Sequence, residues 1–242
     1  MSKTEGSGSD RRPKLAMPRV PSVPGVPGLS RRQQYSAATR KALIKAAGQL
    51  FAVRGYAATS LDAIVTEAKV TKGALYHHFS GKQGIFEAVL VDLEDQAARQ
   101  IGKAMKGVKD PWDQARAGLM AFLEVLREPA YSRLVVHEAP TVLGPRATDR
   151  EDRSTFAVIR QVVSSVLSGE ASDDASGVDP QMQETFSRIF FGALAAAGDA
   201  IVESADPAAA TQRVEAAFGM LFDGMRTLAG TARPEADSVS GR

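Results

Sequence analysis

The strongest constraint on the fold is a series of short helical patterns, separated by stop and start signals, in residues 36–86. In the first pattern apolar residues recur on one face until Gly55, which can adopt the left-handed conformation that closes a helix. The spacing of Thr59 and Asp62 fits a capping box, so Thr59 is expected to cap a second short helix. Thr71 is expected to cap a third. Two short helices across a tight turn predict a helix-turn-helix.

The remainder of the chain also has helical patterns. Beyond Lys82 no alternation of period two argues for strands, so we expect an all-α fold. Three aspartate–proline pairs predict helix starts, because aspartate caps exposed amides and proline tolerates the first helical position. These pairs are Asp110-Pro111, Asp179-Pro180 and Asp206-Pro207. A fourth start is expected at 148–151 after a break at 140–145, and residues 168–179 are expected to form a surface loop.

Charge and composition divide the chain into segments. Its proline-rich start predicts a flexible, disordered arm over residues 1–34. We expect a three-helix helix-turn-helix domain at 35–82, a helical-bundle domain at 83–230 and a disordered tail at 231–242. Lys and Arg number 14 against 4 Asp and Glu in residues 1–82, whereas the rest of the chain has 16 against 24. The basic part suits a polyanion, although a basic tail that only keeps the protein soluble fits the charge equally well.

Several classes of protein are disfavoured by what the sequence lacks. The absence of cysteine excludes disulfides, thiolate metal sites and cysteine nucleophiles. No uninterrupted apolar run reaches the roughly 18 residues that span a bilayer, so we expect a cytoplasmic protein without a membrane partner. Common enzyme motifs such as Gly-x-Ser-x-Gly, His-Glu-x-x-His and a phosphate loop are missing, so we expect neither catalytic residues nor a cofactor. Neighbouring His77 and His78 diverge on a helix and predict no metal site.

One series of residues has the order and spacing of a known signature: Gly55, Thr59-Ser60, Ile64, Ala68, Val70-Thr71-Lys72-Gly73, Leu75-Tyr76-His77-His78-Phe79, Lys82 and Phe86. Through these residues, 36–86 resembles the DNA-binding domain of the TetR family of bacterial transcription regulators. Three positions depart from the family pattern, in two places. Lys69 stands where glycine is common, so that a lysine has to adopt positive φ or the turn differs. Ser80-Gly81 replaces the usual proline and serine.

The resemblance and the chemistry of the side chains give the same candidates for DNA contacts: Thr59, Ser60, Thr71, Lys72, Gly73, Tyr76, His77, His78 and Lys82. Thr71 and the first amides of the third helix would bond to phosphate. Lys72 would reach guanine acceptors in the major groove, and Gly73 would permit a close approach. The other candidates would contact phosphates through hydroxyl, ring N–H or ammonium groups. His78 could equally be packed at the end of the short helix.

Two apolar segments near the end of the chain, 186–202 and 208–228, are rich in small residues and predict closely packed helices. The resemblance implies that the last two helices pair with their copies in a homodimer. The interface candidates are Phe190, Phe191, Leu194, Phe218, Leu221, Phe222 and Met225. An internal core would explain the same residues.

Between residues 111 and 167 the resemblance implies a pocket for an effector. The candidate lining residues are Trp112, Phe122, Tyr131, His137 and Phe156. Aromatic surface with a few polar tips suits a small, largely apolar ligand held by few hydrogen bonds. Plain core packing would explain the aromatic residues too, and His137 could form a surface pair with Glu138.

These observations favour a sequence-specific, homodimeric DNA-binding transcription regulator. We expect a repressor that a small-molecule effector releases from a palindromic double-stranded operator, with half-sites spaced to match the protein's two-fold symmetry. The alternative is a ligand-independent architectural DNA-binding protein that binds chiefly through its basic arm. A helical enzyme is the third class, and no motif supports it.

Overall fold

The computed structural model describes three stretches of the chain, residues 30–144, 154–170 and 179–231. All regular structure in these stretches is helical, and the predicted all-α class is confirmed. By its internal contacts the chain divides into a segment 1–38 and a compact unit 39–242. The helix start predicted at 148–151, nearly all of the predicted tail and most of the predicted arm and surface loop lie outside the described residues.

The first helix, α1 (Arg31–Ala58), begins before the position near Ser36 that the apolar pattern predicts. Its start is set by two side chains that cap each other's backbone. Gln33 N donates to Ser30 Oγ at 3.3 Å, and Ser30 N donates to Gln33 Oε1 at 2.9 Å. This reciprocal pair has the capping-box spacing. Arg31 and Arg32, which follow Ser30, therefore lie in the first turn of the helix.

Near its end α1 breaks at Gly55, where φ is 82° and ψ is 164°, which confirms the predicted turn. The Thr59 hydroxyl is buried and donates to the Gly55 carbonyl oxygen at 2.8 Å, so it holds the break closed. The cap of α2 (Leu61–Glu67) is Ser60, whose Oγ accepts from Ala63 N at 3.1 Å. The prediction that Thr59 caps α2 is therefore wrong. The inward-facing hydroxyl of Thr59 bonds to α1, and the outward-facing hydroxyl of Ser60 caps α2.

The turn into α3 (Lys72–His78) agrees with the sequence in three respects. Lys69 has a φ of 55°, so a lysine does occupy the left-handed position where glycine is common. Thr71 caps the helix by accepting from the backbone of the first turn, as predicted. Leu75 and Phe79, four residues apart on one face of the helix, are buried, as the helical spacing predicts. These contacts fix the orientation of α3 on the helices behind it.

Behind this helix-turn-helix lie the helices α4 (Lys82–Met105), α5 (Pro111–Arg127), α6 (Pro129–Tyr131), a π-helix (Ser132–Glu138), α7 (Ala139–Leu143), α8 (Ser154–Glu170), α9 (Pro180–Val202) and α10 (Pro207–Thr231). The three predicted aspartate caps are confirmed, because Asp110, Asp179 and Asp206 each accept a backbone N–H from the first turn. The helix break predicted at 140–145 lies at the end of that range. Pro140 lies within α7, and the chain turns only at Gly144, where φ is 60°.

One hydrophobic cluster runs through the compact unit. It includes Phe51 of α1, Leu75 of α3, Phe86 of α4, Leu123 of α5 and Phe222 of α10. Helix α4 packs against α5 and α8, while α5 also contacts α10 and α8 contacts α9. The helix-turn-helix and the helices behind it therefore share one hydrophobic core. Helix α4 follows α3 directly in the chain and contributes buried residues to that core.

Among the described helices, α9 alone is long and apolar enough to cross a membrane by length and composition. Its apolar window has a mean hydropathy of 1.3 and is 17% buried. One such helix is weak evidence for a membrane, since a helix in a protein core passes the same test. Here α9 packs against α8 and α10, and its other side is uncovered.

Candidate nucleic-acid interface and ligand cavity

The outer side of α3 carries most of the side chains predicted to contact DNA. Thr71, Lys72, Gly73, Tyr76 and His77 are all exposed. Ala74 N donates to Thr71 Oγ1 at 3.2 Å, and the positive end of the helix suits an anionic oxygen. A Cβ added at Gly73 would meet no internal atom closer than 3.9 Å, so packing within the protein does not demand glycine there.

Lys72 is held by an acidic neighbour from α2. Its Nζ lies 2.6 Å from Asp62 Oδ1, and the side chains are 54% and 70% exposed. The hydrogen bond to Asp62 raises the pKa of Lys72, and the negative charge of Asp62 adds to that effect. An exposed pair of this kind contributes little to stability. The pair therefore places the Lys72 ammonium on the outer face of α3. Because the interaction is weak, another acceptor can replace the Asp62 carboxylate at little cost.

Lys82 stands at the start of α4 and is only partly exposed. Its Nζ donates to the Ala57 carbonyl oxygen at 3.1 Å and lies 4.4 Å from the centre of the Tyr56 ring. Gly81, with a φ of 138°, precedes the helix and supplies no side-chain cap. Lys82 thus joins the end of α1 to the start of α4 while part of its ammonium still faces solvent.

His78 is half-buried at the end of α3, unlike its neighbours on the outer face. Burial lowers its pKa, and the nearby His77 and Arg40 lower it further. Its ring contacts His77 with centroids 5.2 Å apart and Phe79 with centroids 6.3 Å apart. This environment favours the packing role that the sequence left open.

The structure corrects one member of the predicted set and adds another. Thr59 is 1% exposed, so its side chain cannot reach a nucleic acid, whereas Ser60 is exposed at the cap of α2. Arg40 was missed. Its guanidinium lies 5.4 Å from the centre of the Phe79 ring and near His78, which places an exposed cation of α1 beside α3. Helix α1 carries several basic residues, and the sequence does not show which of them lies beside α3. The contact between Arg40 and Phe79 identifies Arg40 as that residue.

A cavity of about 590 Å³ lies among α4, α5, α8, α9 and α10. Three of the predicted ligand residues line it: Trp112, Phe122 and Tyr131. Phe156 is buried behind the wall, with its ring 5.4 Å from that of Phe191. His137 is exposed to solvent and does not line the cavity. The prediction is therefore wrong for these two residues. The ring of Phe156 packs against Phe191 outside the lining, and the His137 side chain is exposed although its neighbours Val135 and Val136 line the cavity.

Six of the seven residues predicted for the dimer interface line this cavity instead. These are Phe190, Phe191, Leu194, Phe218, Phe222 and Met225. They face inward because α9 and α10 are apolar on two sides, and the aromatic side closes over the cavity. Leu221, which is 54% exposed, is the one member of the set that faces outward. The outer face carries Ile189, Met220 and Leu221 with several exposed glycines and alanines, and hydrophobicity alone could not separate the two sides.

A polar contact joins the cavity wall to the end of α1. Arg133 Nη1 donates to the carbonyl oxygens of Ala52 and Val53, each at 3.0 Å. Arg133 Nε donates to Glu138 Oε1 at 3.2 Å, and Tyr56 N donates to Glu138 Oε2 at 2.7 Å. We call this the Arg133–Glu138 clamp. It satisfies carbonyls at the end of the helix that would otherwise lack partners.

Gly55 is expected to be intolerant of a side chain, since it meets the clamp. An added Cβ would lie 2.8 Å from Arg133 Nη2 and 2.9 Å from Glu138 Oε1, and the positive φ adds backbone strain. We expect Gly55→Ala to lower the free energy of unfolding by about 1–3 kcal/mol, measured by urea denaturation. Gly102→Ala is the control, because that helical position has nothing within 4 Å. The control should gain roughly 0.5–1 kcal/mol. Equal effects at both positions would contradict this account.

Two protein-family models match the chain. The model described as bacterial regulatory proteins, tetR family, matches residues 43–89, and the model described as tetracyclin repressor-like, C-terminal domain, matches residues 112–225. The chain belongs to the TetR family. The first match covers the helix-turn-helix, and the second covers most of the helices around the cavity, so both halves of a TetR regulator are represented.

Individual TetR relatives agree with this assignment. The transcriptional activator FasR of Mycolicibacterium smegmatis is 31% identical over 49% of this chain and 54% of its own length. The transcriptional repressor KstR2 of the same species is 29% identical over 42% of this chain and 49% of its own. The chain thus spans about half the length of these curated relatives. A TetR-family regulator from Pectobacterium atrosepticum is 27% identical in sequence, with a TM-score of 0.65 over 81% of this chain and 97% of that one. The family and these relatives are transcription regulators and not enzymes.

Proposed function

We propose that this protein represses transcription by binding a palindromic DNA operator as a homodimer, and that a small, largely apolar effector releases it. The observation that carries the proposal is that one compact unit presents the outer side of α3 to solvent and encloses a cavity large enough for a drug-sized ligand. It would act in the cytoplasm, where bacterial DNA lies.

The DNA contacts are proposed to come from α3 and the residues around it. Thr71, Lys72 and Gly73 would enter the major groove at the amino end of the helix, with Lys72 leaving Asp62 for a base acceptor. Phosphates on either side would be contacted by a second group, which comprises Ser60, Tyr76, His77, Lys82 and Arg40. The excess of positive charge in residues 1–82 supports the proposal that this part of the chain contacts DNA.

The dimer is proposed to form through the uncovered side of α9 and α10. TetR-family proteins bind DNA as dimers. Ile189, Met220 and Leu221 are 60%, 72% and 54% exposed, which is unusual for large apolar side chains of a stable monomer. Exposed Gly192 and Gly224 on the same helices would let a second copy approach closely. This set replaces the inward-facing residues that the sequence suggested.

Repression is proposed because it requires only that the operator be occupied. An activator would also need a surface that contacts the transcription machinery. The relatives include a named activator and a named repressor.

The Arg133–Glu138 clamp is the proposed route from effector to DNA. Tyr131, Val135 and Val136 line the cavity, and the clamp residues lie on the same helical segment. A ligand that moves this segment would move the end of α1, and with it the spacing of the two reading helices in the dimer. Only a ligand with different affinities for the two spacings can shift the equilibrium.

The two lysines are expected to differ in what they recognise. Lys72→Ala should weaken binding to the preferred operator roughly ten- to hundredfold and relax base preference, because it removes a base contact. Lys82→Ala should weaken all sequences alike and reduce the salt slope by about one, because it removes a phosphate contact. Fluorescence anisotropy with operator and scrambled DNA measures both effects. Lys103→Ala, at the far end of α4, is the control and should change neither. If both variants lose the same affinity for operator and scrambled DNA, the assignment of a base contact to Lys72 and a phosphate contact to Lys82 is wrong.

Effector release is tested by titrating the operator with and without a panel of small apolar compounds. We expect at least one compound to lower operator affinity by a factor in the range of about 5 to 150 that is typical of allosteric coupling. If compounds bind the cavity and none changes operator affinity, effector release is wrong while DNA recognition stands.

A further inference from the structure

An acidic residue lies beside the lysine that is proposed to read a base. In residues 30–82, which include the helix-turn-helix, the acidic residues are Asp62 and Glu67. Asp62 lies in the first turn of α2, and its Oδ1 is 2.6 Å from Lys72 Nζ on α3. The Asp62 side chain is 70% exposed. A carboxylate at this place opposes the approach of a polyanion, so it lowers affinity for DNA unless it has a partner there.

Folding gains little from the Asp62 carboxylate. The capping-box role that its spacing from Thr59 predicts is not present, because Thr59 N donates to the Tyr56 carbonyl oxygen at 3.3 Å and Ser60 caps α2 with its own hydroxyl. The exposed ion pair with Lys72 also adds little to stability. What remains is the modest benefit of any acid in the first turn of a helix. The position of Asp62 is therefore better explained by its effect on Lys72 than by the fold.

Phosphates and base edges differ in what they offer to this ion pair. Breaking the pair itself costs little, so the difference lies in what Asp62 meets afterwards. Phosphate oxygens are acceptors that carry negative charge, so a phosphate that takes Lys72 leaves the Asp62 carboxylate facing a polyanion. The major-groove edge of a G·C pair presents guanine acceptors beside the cytosine N4 amino group. An ammonium and a carboxylate that lie side by side can therefore both find partners on a base pair, but not on the backbone.

We propose that Asp62 is a specificity-determining residue, which withholds Lys72 from the phosphates of other DNA and accepts from a cytosine N4 amino group when Lys72 bonds to guanine in the operator. This inference rests on the proposed recognition of an operator by α3. The closed pair is neutral overall, so it releases no counter-ion from non-operator DNA. Lysine alone binds phosphate and guanine alike, and the carboxylate from α2 supplies the preference for the base.

Asp62→Asn removes the charge and keeps the shape of the side chain. Fluorescence anisotropy measures the affinity of the full-length variant for the selected operator and for scrambled DNA. At about 0.1 M salt we expect affinity for scrambled DNA to rise about five- to tenfold, because the released lysine gains a phosphate contact. Affinity for the operator should change less than about threefold, and the salt slope should steepen by about one on scrambled DNA only. An unchanged ratio of the two affinities, with folding verified by circular dichroism, would overturn the inference.

Two comparisons separate an effect through the lysine from the general effect of removing a negative charge. Glu67→Gln is the matched control, because it makes the same charge change at the exposed far end of α2. It should shift both affinities by the same factor. In a Lys72→Ala background, Asp62→Asn should also act equally on both DNAs, since no lysine is left to release. A gain confined to scrambled DNA that persists in this background would overturn the inference.

Lys72→Ala alone tests the same inference with Asp62 in place, and so does not depend on the folding of the Asp62 variant. Its affinity for scrambled DNA should stay within about twofold of the unmodified protein, because the paired lysine contacts no phosphate there. A loss on scrambled DNA as large as on the operator would overturn the inference. If the unmodified protein prefers its operator and Asp62→Asn keeps that preference, operator recognition stands and the role of Asp62 is wrong. If the unmodified protein prefers no sequence, both are wrong.

Discussion

Met220→Glu is expected to convert the protein to a monomer and to abolish specific operator binding. Met220 is 72% exposed on α10 and lies beside Leu221 on the face proposed for dimerisation. In a two-fold interface the same patch occurs on both subunits, so one substitution buries two negative charges close together. Like charges at an interface cost several kcal/mol, and we expect the dimer to dissociate at least about 100-fold more readily.

Sedimentation velocity measures the dimer, and anisotropy with the selected operator measures binding. Val91→Glu is the matched control, because Val91 is 61% exposed on α4, outside the proposed interface, and receives the same charge. The control should remain dimeric and bind DNA. A dimeric Met220→Glu protein with normal operator affinity would mean that copies associate through another surface.

Phe51→Ala is expected to produce the largest loss of stability. Phe51 is fully buried in α1, packs edge-on against Phe86 with ring centroids 5.3 Å apart, and contacts Tyr56 at 5.7 Å. Truncating a buried phenylalanine removes its apolar contacts and leaves a cavity that neighbours fill incompletely, at a cost of about 3–5 kcal/mol. That is a large fraction of the roughly 5–15 kcal/mol that stabilises a typical domain.

Urea denaturation followed by circular dichroism checks this prediction. Val53→Ala, two residues along the same helix, is the control, since Val53 is 76% exposed. Its effect should stay within about 0.5 kcal/mol. A loss below about 1.5 kcal/mol for Phe51→Ala would show that the packing of α1 on α4 contributes less than this structure implies.

Local signals explain which parts of the fold could be predicted from sequence. Gly55, Thr71 and the aspartate–proline pairs act within one turn of helix, so their roles follow from residue type and spacing. The two misplaced starts are also local. Ser30 follows a proline-rich stretch, so its capping interaction with Gln33 was not predicted. Thr59 and Ser60 both carry hydroxyl groups, and their roles depend on which of the two side chains faces α1.

The parts of the site that could not be predicted depend on contacts between distant segments. The resemblance to the TetR family placed the phenylalanines of α9 and α10 at a dimer interface, with an internal core as the alternative. Both sides of these helices are apolar, so the sequence does not say which side meets α5 and α8. Glu94 stands in an acidic stretch of α4 and looks like a solvated residue. In the fold Glu94 is 5% exposed and accepts hydrogen bonds from Tyr131 and Thr155, which lie 37 and 61 residues further along the chain.

The most direct test of the central claim is to select sequences that the purified protein binds from a random DNA pool. The winning sequence is then titrated against a scrambled control at two salt concentrations. The account predicts a palindromic motif that binds at least about 10³-fold more tightly than the scramble. If no motif emerges and affinity only falls as salt rises, binding is electrostatic and non-specific, and the protein is an architectural DNA binder rather than an operator-specific regulator.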